Sequence, residues 1–208
     1  MATIRDHVVR TGAIFFAAAT LAACTSTATG PLAPTQVGGQ DWHYLVGPGD
    51  SVNVFVWRNP EVSGSFPVRP DGKMTMNLVE DLQASGKTPS QLARDIEKAL
   101  GKYIQEPIVT VIVAGGVGPF DQQIRVIGEA AEPKALNYRE KMSLVDLMIS
   151  VGGLTEFAAG NKAYILRTQN GKQQRLRVRL DDLLRGGDVS ANVDLLPGDV
   201  LVVPESLF

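Results

Sequence analysis

The amino-acid sequence predicts an α+β fold made of two small units, each with a few strands and one capped helix. Apolar residues recur with the period of a strand in several short runs, and with the period of a helix in two longer ones. The stretch 115–122 has three glycines and one proline in eight residues, which is typical of a connection between units. A chain of 208 residues is long enough for two units of this kind.

The first unit, residues 42–114, begins with "YLVGPGDSVNVFVW". Its Pro-Gly-Asp favours a tight turn, because proline restricts φ, glycine permits a positive φ and aspartate can accept a hydrogen bond from the main chain. Residues 52–57 then alternate and predict a strand, with valines on one face and Phe55 and Trp57 on the other. The stretch "SFPVRPDGKMTMNL" predicts a hairpin with its tip at residues 70–72.

The clearest helix of the first unit lies in "TPSQLARDIEKALGKYI". Thr88 is a natural N-cap, Pro89 suits the first turn and Gln91 completes a capping box. The apolar side chains expected on one stripe are Leu92, Ile96, Ala99, Leu100 and Tyr103. Gly101 predicts the end of the helix, and "PIVTVIVA" from Pro107 predicts a strand that is buried on at least one face.

The second unit, residues 122–204, repeats this mixture of elements. "QIRVIGEA" predicts a strand, and "KMSLVDLMISVGGL" predicts a helix that starts at an N-cap, Ser143, and stops at Gly152 and Gly153. "AYILRTQNGKQQRLRVRL" has Asn-Gly at 170–171 between two β-like runs, a type I′ hairpin signal. "DDLLRGG" predicts one helical turn. The closing "PGDVLVV" predicts a turn and a strand, and its Pro-Gly-Asp is a local device rather than a sequence repeat.

The first residues have the pattern of an export signal. Basic residues precede an uncharged, largely apolar run at residues 11–23, which is shorter than the roughly 20 residues that span a bilayer. The Leu-Ala-Ala-Cys at its end resembles a bacterial lipobox. The resemblance implies a signal peptide at 1–23, cleavage between Ala23 and Cys24, and a lipid on the sulfur of Cys24. The alternatives are an ordinary secretory signal with an incidental cysteine, or an anchor that is not removed.

The residues after the cysteine predict a location and a tether. In Gram-negative lipoproteins an aspartate at this position tends to retain the protein at the inner membrane, so Thr25 implies the periplasmic side of the outer membrane. Residues 24–41 are rich in Thr, Ser, Ala, Gly and Pro with little periodicity, and predict a flexible tether. Residues 205–208 form a short tail.

Composition and charge exclude several classes of function. The net charge of −2, from 20 basic and 22 acidic residues, argues against nucleic acid as a partner. One cysteine and two histidines leave no cluster for a metal site, and no cofactor motif is visible. A Ser-His-Asp triad would need His43. Asp50, Asp71 and Asp199 all lie beside glycine in turn phrases, which explains them better than paired carboxylates for glycoside cleavage. We therefore expect no enzyme activity, no catalytic residues and no cofactor.

Three arginines form the one candidate binding surface. Arg175, Arg177 and Arg179 fall on one face of a predicted strand, with Leu176 and Val178 on the other. Such a face is either solvated and protects a sheet edge, or contacts another subunit or an acidic glycan. Arginine suits the second role because its guanidinium pairs bidentately with carboxylates.

Both units together resemble the polysaccharide biosynthesis/export family, the Wza-like outer-membrane export lipoproteins. "YLVGPGDSVNVFVWRNPEVSGSFPVRPDGKMTMNLV" is similar to the start of that family's export domain, which continues through "GKYIQEPIVTVIV". "IRVIGEAAEPKALNYREKMSLVDLMISVGGLTEFAAGNKAYILR" is similar to an SLBB module, a soluble ligand-binding β-grasp. The resemblance implies a polysaccharide export domain at 42–114, a linker at 115–121 and one β-grasp-like SLBB domain at 122–204.

The resemblance also implies a role. It implies a homo-oligomeric periplasmic ring that conducts an exopolysaccharide or capsule polymer to the outer membrane, with an inner-membrane polysaccharide co-polymerase as partner. The sequence departs from the family pattern in having one SLBB module and no C-terminal membrane helix after Pro204. We therefore expect an outer-membrane β-barrel protein as a further partner. The alternatives are a monomeric glycan-binding lipoprotein that tethers polymer, or a carboxylate-based polysaccharide hydrolase or lyase.

Overall fold

The computed structural model describes residues 30–36, 42–169 and 171–206. The predicted signal peptide at 1–23, its cleavage site after Ala23 and the predicted lipid attachment at Cys24 lie outside the described residues.

The first domain is a three-stranded antiparallel sheet with a helix and a two-stranded ladder on one face. Its elements are, in chain order, β1 (Ser51–Val56), β2 (Gly64–Pro67), β3 (Lys73–Met76), β4 (Val79–Gln83), α1 (Pro89–Leu100) and β5 (Val109–Gly115). The sheet has the order β2-β1-β5, and β3 pairs with β4. The side chains that β1 and α1 bury in the core are Val52, Val54, Val56, Leu92, Ala93, Ile96 and Leu100. The predicted valine face is therefore the inner face of the sheet.

Helix α1 begins as the sequence predicts. The Thr88 hydroxyl accepts a hydrogen bond from the Gln91 main-chain N–H at 3.2 Å, and the Gln91 side chain accepts one from the Thr88 N–H at 3.0 Å. The helix ends at Leu100, one turn earlier than the predicted apolar stripe. Tyr103, which that stripe included, lies beyond the helix and is 63% exposed.

The predicted hairpin around residues 70–72 is wrong in its pairing. The turn itself forms, with a positive φ at Gly72 and a hydrogen bond from its N–H to the Arg69 carbonyl. The strand before the turn, β2, pairs with β1, and the strand after it, β3, pairs with β4. Turn chemistry predicts where a chain reverses, but a strand joins whichever edge its side chains can bury against.

The second domain is a five-stranded sheet with helices packed on its core. Its elements are β6 (Gln123–Gly128), β7 (Ala135–Asn137), α2 (Leu144–Ser150), β8 (Tyr164–Gln169), β9 (Lys172–Arg177), α3 (Leu180–Leu184) and β10 (Val200–Val203). The sheet has the order β7-β6-β10-β8-β9. The strand from the closing Pro-Gly-Asp phrase, β10, is central, since it runs parallel to β6 and antiparallel to β8. Side chains of α2, α3 and the inner faces of the strands pack together in one core.

The helix caps and turns predicted from the local sequence of the second domain are present. Ser143 caps α2, and its N–H in turn donates to the Asp146 carboxylate. Gly152 and Gly153 follow the helix with φ of 75° and 87°, the left-handed region that ends helices. Strands β8 and β9 join through a two-residue connection in which Gly171 has φ of 73°. The predicted fold class is confirmed: a domain of mixed strands with one capped helix, followed by a β-grasp-like domain.

Part of the predicted tether is docked on the second domain. Leu32 lies beside Arg177 in a parallel bridge, which places residues 31–33 along the outer edge of β9. The Arg177 N–H donates to the Pro31 carbonyl at 2.8 Å, and the Ala33 N–H donates to the Arg177 carbonyl at 2.9 Å. We call residues 31–33 the strap. The prediction of a flexible tether over 24–41 is corrected for its described part, because an edge strand offers main-chain groups with which any sequence can pair.

Candidate functional site

The two Pro-Gly-Asp phrases form the same closed turn. Asp50 N–H donates to the Gly47 carbonyl at 3.2 Å, and the Asp50 carboxylate accepts the Gly47 N–H at 2.8 Å. Asp199 makes the matching pair with Leu196, at 3.1 and 2.8 Å. The glycine before each aspartate has φ of 89° or 85°, as a type II turn requires. The predicted bond from aspartate back to the main chain is confirmed in both turns.

The Asp50 carboxylate also reaches the linker. It is fully buried, and its second oxygen accepts main-chain N–H groups from Val117 at 2.6 Å and Gly118 at 2.9 Å. The Tyr44 hydroxyl donates to its first oxygen at 2.5 Å. Each oxygen of Asp50 thus has two donors, which satisfies a buried carboxylate without a cation. Burial of the Tyr44 ring, together with the neighbouring Asp50 carboxylate, raises the pKa of Tyr44 above its usual 10.

The Asp199 carboxylate is bound by an arginine, where Asp50 is bound by main-chain N–H groups of the linker. The Arg167 guanidinium donates from Nε at 2.9 Å and from Nη2 at 2.7 Å, a bidentate pair in which both side chains are at most 4% exposed. Nη2 also donates to the Asp194 carbonyl at 3.0 Å. Arg167 is not among the residues predicted from the sequence. Its signal was its position two residues after Ile165, which places an arginine on the inward face of β8.

Both turns pack against the segment between the domains. A methyl group on Gly47 would overlap the carbonyl group of Gly118, and one on Gly198 would overlap the carbonyl oxygen of Asp121. The Asn137 amide donates to the Gly116 carbonyl at 2.5 Å. We call residues 44–50, 116–121 and 196–199 the joint. Both turns and the buried Asp50 carboxylate contact residues 116–121. The joint is therefore a packed connection between the two domains rather than a free linker.

The turn aspartates are engaged in structural bonds. Asp50 and Asp199 are buried and saturated with donors, as described above. Asp71 is exposed and pairs with Arg69, whose hydrogen bond holds the pKa of Asp71 down at about 2. All three carboxylates are thus bound by donors of the fold itself, as the interpretation of these residues as turn aspartates predicts. No group of potential metal ligands comes together within the described ranges.

The predicted arginine face is divided among three environments. The strand ends at Arg177, so Arg179 lies outside it, at the N-cap of α3. Arg179 forms ion pairs with Asp182 at 3.2 Å and Asp188 at 3.1 Å. Arg175 is exposed and stacks over the Tyr164 ring, with 3.6 Å from its guanidinium carbon to the ring centroid. The structure therefore does not join all three arginines on one strand face.

Arg177 lies under the strap. Its main chain pairs with Pro31 and Ala33, and its Nε is buried with no hydrogen-bond partner among the described residues. A cavity of about 100 Å³ lies between the strap and the domain, and Arg177, Arg179 and Ser190 contribute polar groups to it.

His43, the histidine that a triad would need, is exposed. None of the helices in the described part of the chain is long and apolar enough to cross a bilayer.

Two family descriptions match the chain, one for each domain. Residues 39–114 match the family described as "Polysaccharide biosynthesis/export protein", and residues 122–203 match the SLBB domain. The first match covers β1 to β4, α1 and all but the last residue of β5, and the second covers β6 to β10.

Two curated relatives match across both domains. One is the EPS I polysaccharide export outer membrane protein EpsA of Ralstonia nicotianae, 25% identical over 187 residues, which cover 78% of this chain and 47% of the relative. The other is the protein of the same name from Ralstonia solanacearum, 25% identical over 184 residues, with 77% and 47% covered. The chain spans about half the length of the curated relatives it matches.

Proposed function

Since this chain belongs to the polysaccharide biosynthesis/export protein family, we propose that it is a component of an exopolysaccharide or capsule export machine. In this proposal the protein is held by a lipid on the periplasmic side of the outer membrane. Copies of it form a ring, and polymer passes through the ring toward the outer membrane. Movement is driven by polymer synthesis elsewhere, with an inner-membrane polysaccharide co-polymerase as the partner that delivers the chain. The protein itself catalyses no reaction.

The joint is the observation that supports this proposal most directly. A conduit of identical subunits keeps a continuous path only if the two domains of each subunit hold one orientation. The buried Asp50 carboxylate binds the linker N–H groups of Val117 and Gly118, and the Gly47 main chain packs directly on Gly118. These contacts favour a fixed arrangement of the export domain on the SLBB domain, which suits a structural conduit.

The arginines fit a supporting role in the same proposal. Arg175 keeps its guanidinium exposed above Tyr164, where it is available to an acidic glycan or a neighbouring subunit. Arg177 is available only at the strap cavity, and Arg179 is already neutralised by two aspartates. Of the three arginines that the sequence selects, we propose Arg175 as the contact residue.

Two measurements test the proposal. Native mass spectrometry of the full chain, extracted with its lipid in a mild detergent, is expected to show a closed oligomer. A strain that lacks the gene is expected to lose secreted polysaccharide and to regain it on complementation. A stable monomer together with unchanged secretion would contradict the proposal. Binding of the native polymer by a monomer would favour a tethering lipoprotein, and release of reducing ends would favour a hydrolase.

A further inference from the structure

The outer face of the second sheet is open, because α2 and α3 pack on the other face. Residues at alternate strand positions face the core, and Ile124, Ile165 and Leu201 among them are fully buried. The strand positions that face outward are all half-buried or exposed. The described part of the chain thus leaves one face of a five-stranded sheet accessible to a ligand.

Two arginines lie in one row across this open face. Arg125 on β6 is the register partner of Val200 on β10. Val200 is in turn the partner of Leu166 on β8, and Leu166 is the partner of Arg175 on β9. Neighbouring strands are about 4.8 Å apart, so the main chains of the two arginines are about 14 Å apart. We call these four residues the arginine row.

Each arginine of the row stacks on an aromatic ring. The guanidinium carbon of Arg175 is 3.6 Å from the centroid of the Tyr164 ring, and that of Arg125 is 4.5 Å from the centroid of the Phe120 ring. A stacked guanidinium keeps the N–H groups at its edge free to donate. Within the described residues, the Nε of Arg125 is buried without an acceptor. A buried donor of this kind indicates that a partner is missing.

The open face carries an excess of positive charge. Its strand positions hold no aspartate or glutamate, and their arginines are Arg125, Arg175 and, under the strap, Arg177. The ion pairs that arginines make in this domain are formed by those at 167, 179 and 185, among the residues that the structure describes. The exposed acids beside β6 and β10 in the chain are Asp121 and Glu205, which lie outside the strands. A ligand with carboxylate groups therefore complements this face.

We propose that the arginine row binds an acidic polysaccharide through its carboxylate groups. This inference rests on the proposed export function and names the chemical class of the polymer. Each guanidinium can pair bidentately with a carboxylate. Between the arginines, the half-buried side chains of Val200, Leu166 and Tyr164 offer an apolar surface for the C–H face of a sugar ring. Two charge pairs at an open surface form a weak site, which lets the polymer leave again as passage through a conduit requires.

An acidic protein surface is a poorer occupant of the row. Protein contacts depend on large apolar or aromatic anchors at the centre of the interface. Of the outward side chains of the described sheet, only Ile127 is a large apolar residue with half of its surface exposed. The outward positions next to the row are Gln123, Thr168 and Gln173, which can form hydrogen bonds with sugar hydroxyls. Guanidinium, amide and hydroxyl groups around a small apolar surface favour a glycan.

Binding of a charged and an uncharged oligomer tests the site. The probe is an oligomer of galacturonate, and its fully methyl-esterified form is the matched neutral ligand. Calorimetry on the full-length lipidated chain in detergent is expected to show binding of the acid oligomer that weakens as salt is added. Arg125→Gln and Arg175→Gln are each expected to weaken this binding about 10-fold. The double variant and the esterified oligomer are each expected to show a loss of about 100-fold, because the two arginines act independently.

A matched control removes an arginine from the other domain. Arg58 is exposed on the first domain, and Arg58→Gln is expected to bind the acid oligomer like the wild type. The urea midpoint of each variant checks that it is folded. The site is wrong if the wild type does not bind the acid oligomer, if all variants bind it equally, or if the ester binds equally well. It is also wrong if the row variants keep this binding but no longer form the oligomer, because the face would then be a subunit contact.

The secreted polymer gives a second readout. Polysaccharide whose secretion depends on the gene is expected to contain carboxylate groups. A strain with the double variant is expected to secrete less of it, while native mass spectrometry still shows the oligomer. A gene-dependent polymer without carboxylates would overturn this inference and leave the export function standing. Secretion that is unchanged in the absence of the gene would overturn the export function and this inference together.

Discussion

Replacing Asp50 by asparagine tests whether its carboxylate holds the linker in place or only closes its own turn. Asparagine has the same shape but keeps one acceptor oxygen, whereas the buried Asp50 carboxylate accepts four donors, two at each oxygen. The Tyr44 hydroxyl can rotate and accept a bond from the new amide. In that best arrangement the Gly47 N–H still loses its partner, and the bonds from Val117 and Gly118 lose the charge that strengthens them.

The expected loss of stability follows from these weakened and missing hydrogen bonds. An unpaired buried N–H costs about 1–3 kcal/mol, and a hydrogen bond to a neutral group contributes roughly 1 kcal/mol less than one to a charged group. Asp50→Asn is therefore expected to lower the free energy of unfolding by about 3–5 kcal/mol. In a urea titration this is a fall of about 1.5–2.5 M in the midpoint, at a slope of roughly 2 kcal/mol per M. Hydrogen exchange at the amides of Val117 and Gly118 is expected to accelerate, because their acceptor oxygen becomes neutral and binds them more weakly.

Asp71→Asn is the matched control, since Asp71 also follows a proline in a turn but is exposed. Its ion pair with Arg69 is screened by solvent, so we expect only a small shift of the midpoint. The reasoning is refuted if the Asp50 variant unfolds at the same urea concentration as the Asp71 variant, or if exchange at the linker amides is unchanged.

Three further predictions concern the joint and its turns. Arg167→Met is expected to cost about 3–5 kcal/mol by denaturant unfolding, because it leaves the Asp199 carboxylate buried and unpaired; a loss under about 1 kcal/mol would show that water replaces the arginine. Gly47→Ala is expected to cost more than about 2 kcal/mol, since its methyl group overlaps main-chain atoms, whereas Gly115→Ala, with open space around it, should change stability by less than about 0.5 kcal/mol; equal effects would contradict the packing. Tyr44 has a raised pKa, so its contribution to stability is complete below pH 10 and is lost as pH rises further; since burial also raises the pKa of Tyr138, tyrosinate absorbance should show two late-titrating groups that fall to one in Tyr44→Phe, and a normal titration of all tyrosines would disprove it.

Features that depend only on residues close together in the chain are predictable from the sequence. The capping box of α1 needs only Thr88 and Gln91, and the valine alternation of β1 needs only its own residues. The turn before β10 is equally local, because its hydrogen bonds join Asp199 to Leu196. Side-chain period and turn chemistry are properties of a short window, so these predictions hold.

Features that depend on distant partners were not predictable. The second oxygen of Asp50 bonds to residues 67 and 68 positions away, and no local pattern marks that contact. The strap pairs through main-chain atoms, so nothing in its Pro-Leu-Ala sequence distinguishes it from a free tether. The pairing of β3 with β4 instead of β2 depends on which sheet edge remains open. Likewise, the alternation of β1 shows that Phe55 is opposite the valines but not whether another layer covers it.

The strap limits how far the folded part of the molecule can stand from a membrane. If Cys24 is acylated as the sequence predicts, seven residues connect the lipid to Pro31, and an extended chain of that length reaches at most about 25 Å. A fluorescence distance from labelled β9 to the bilayer surface that clearly exceeds this reach would show that the strap detaches or that the lipid is absent. With both in place, the edge of the second domain at β9 stays within that reach of the bilayer surface, because the strap is bonded there.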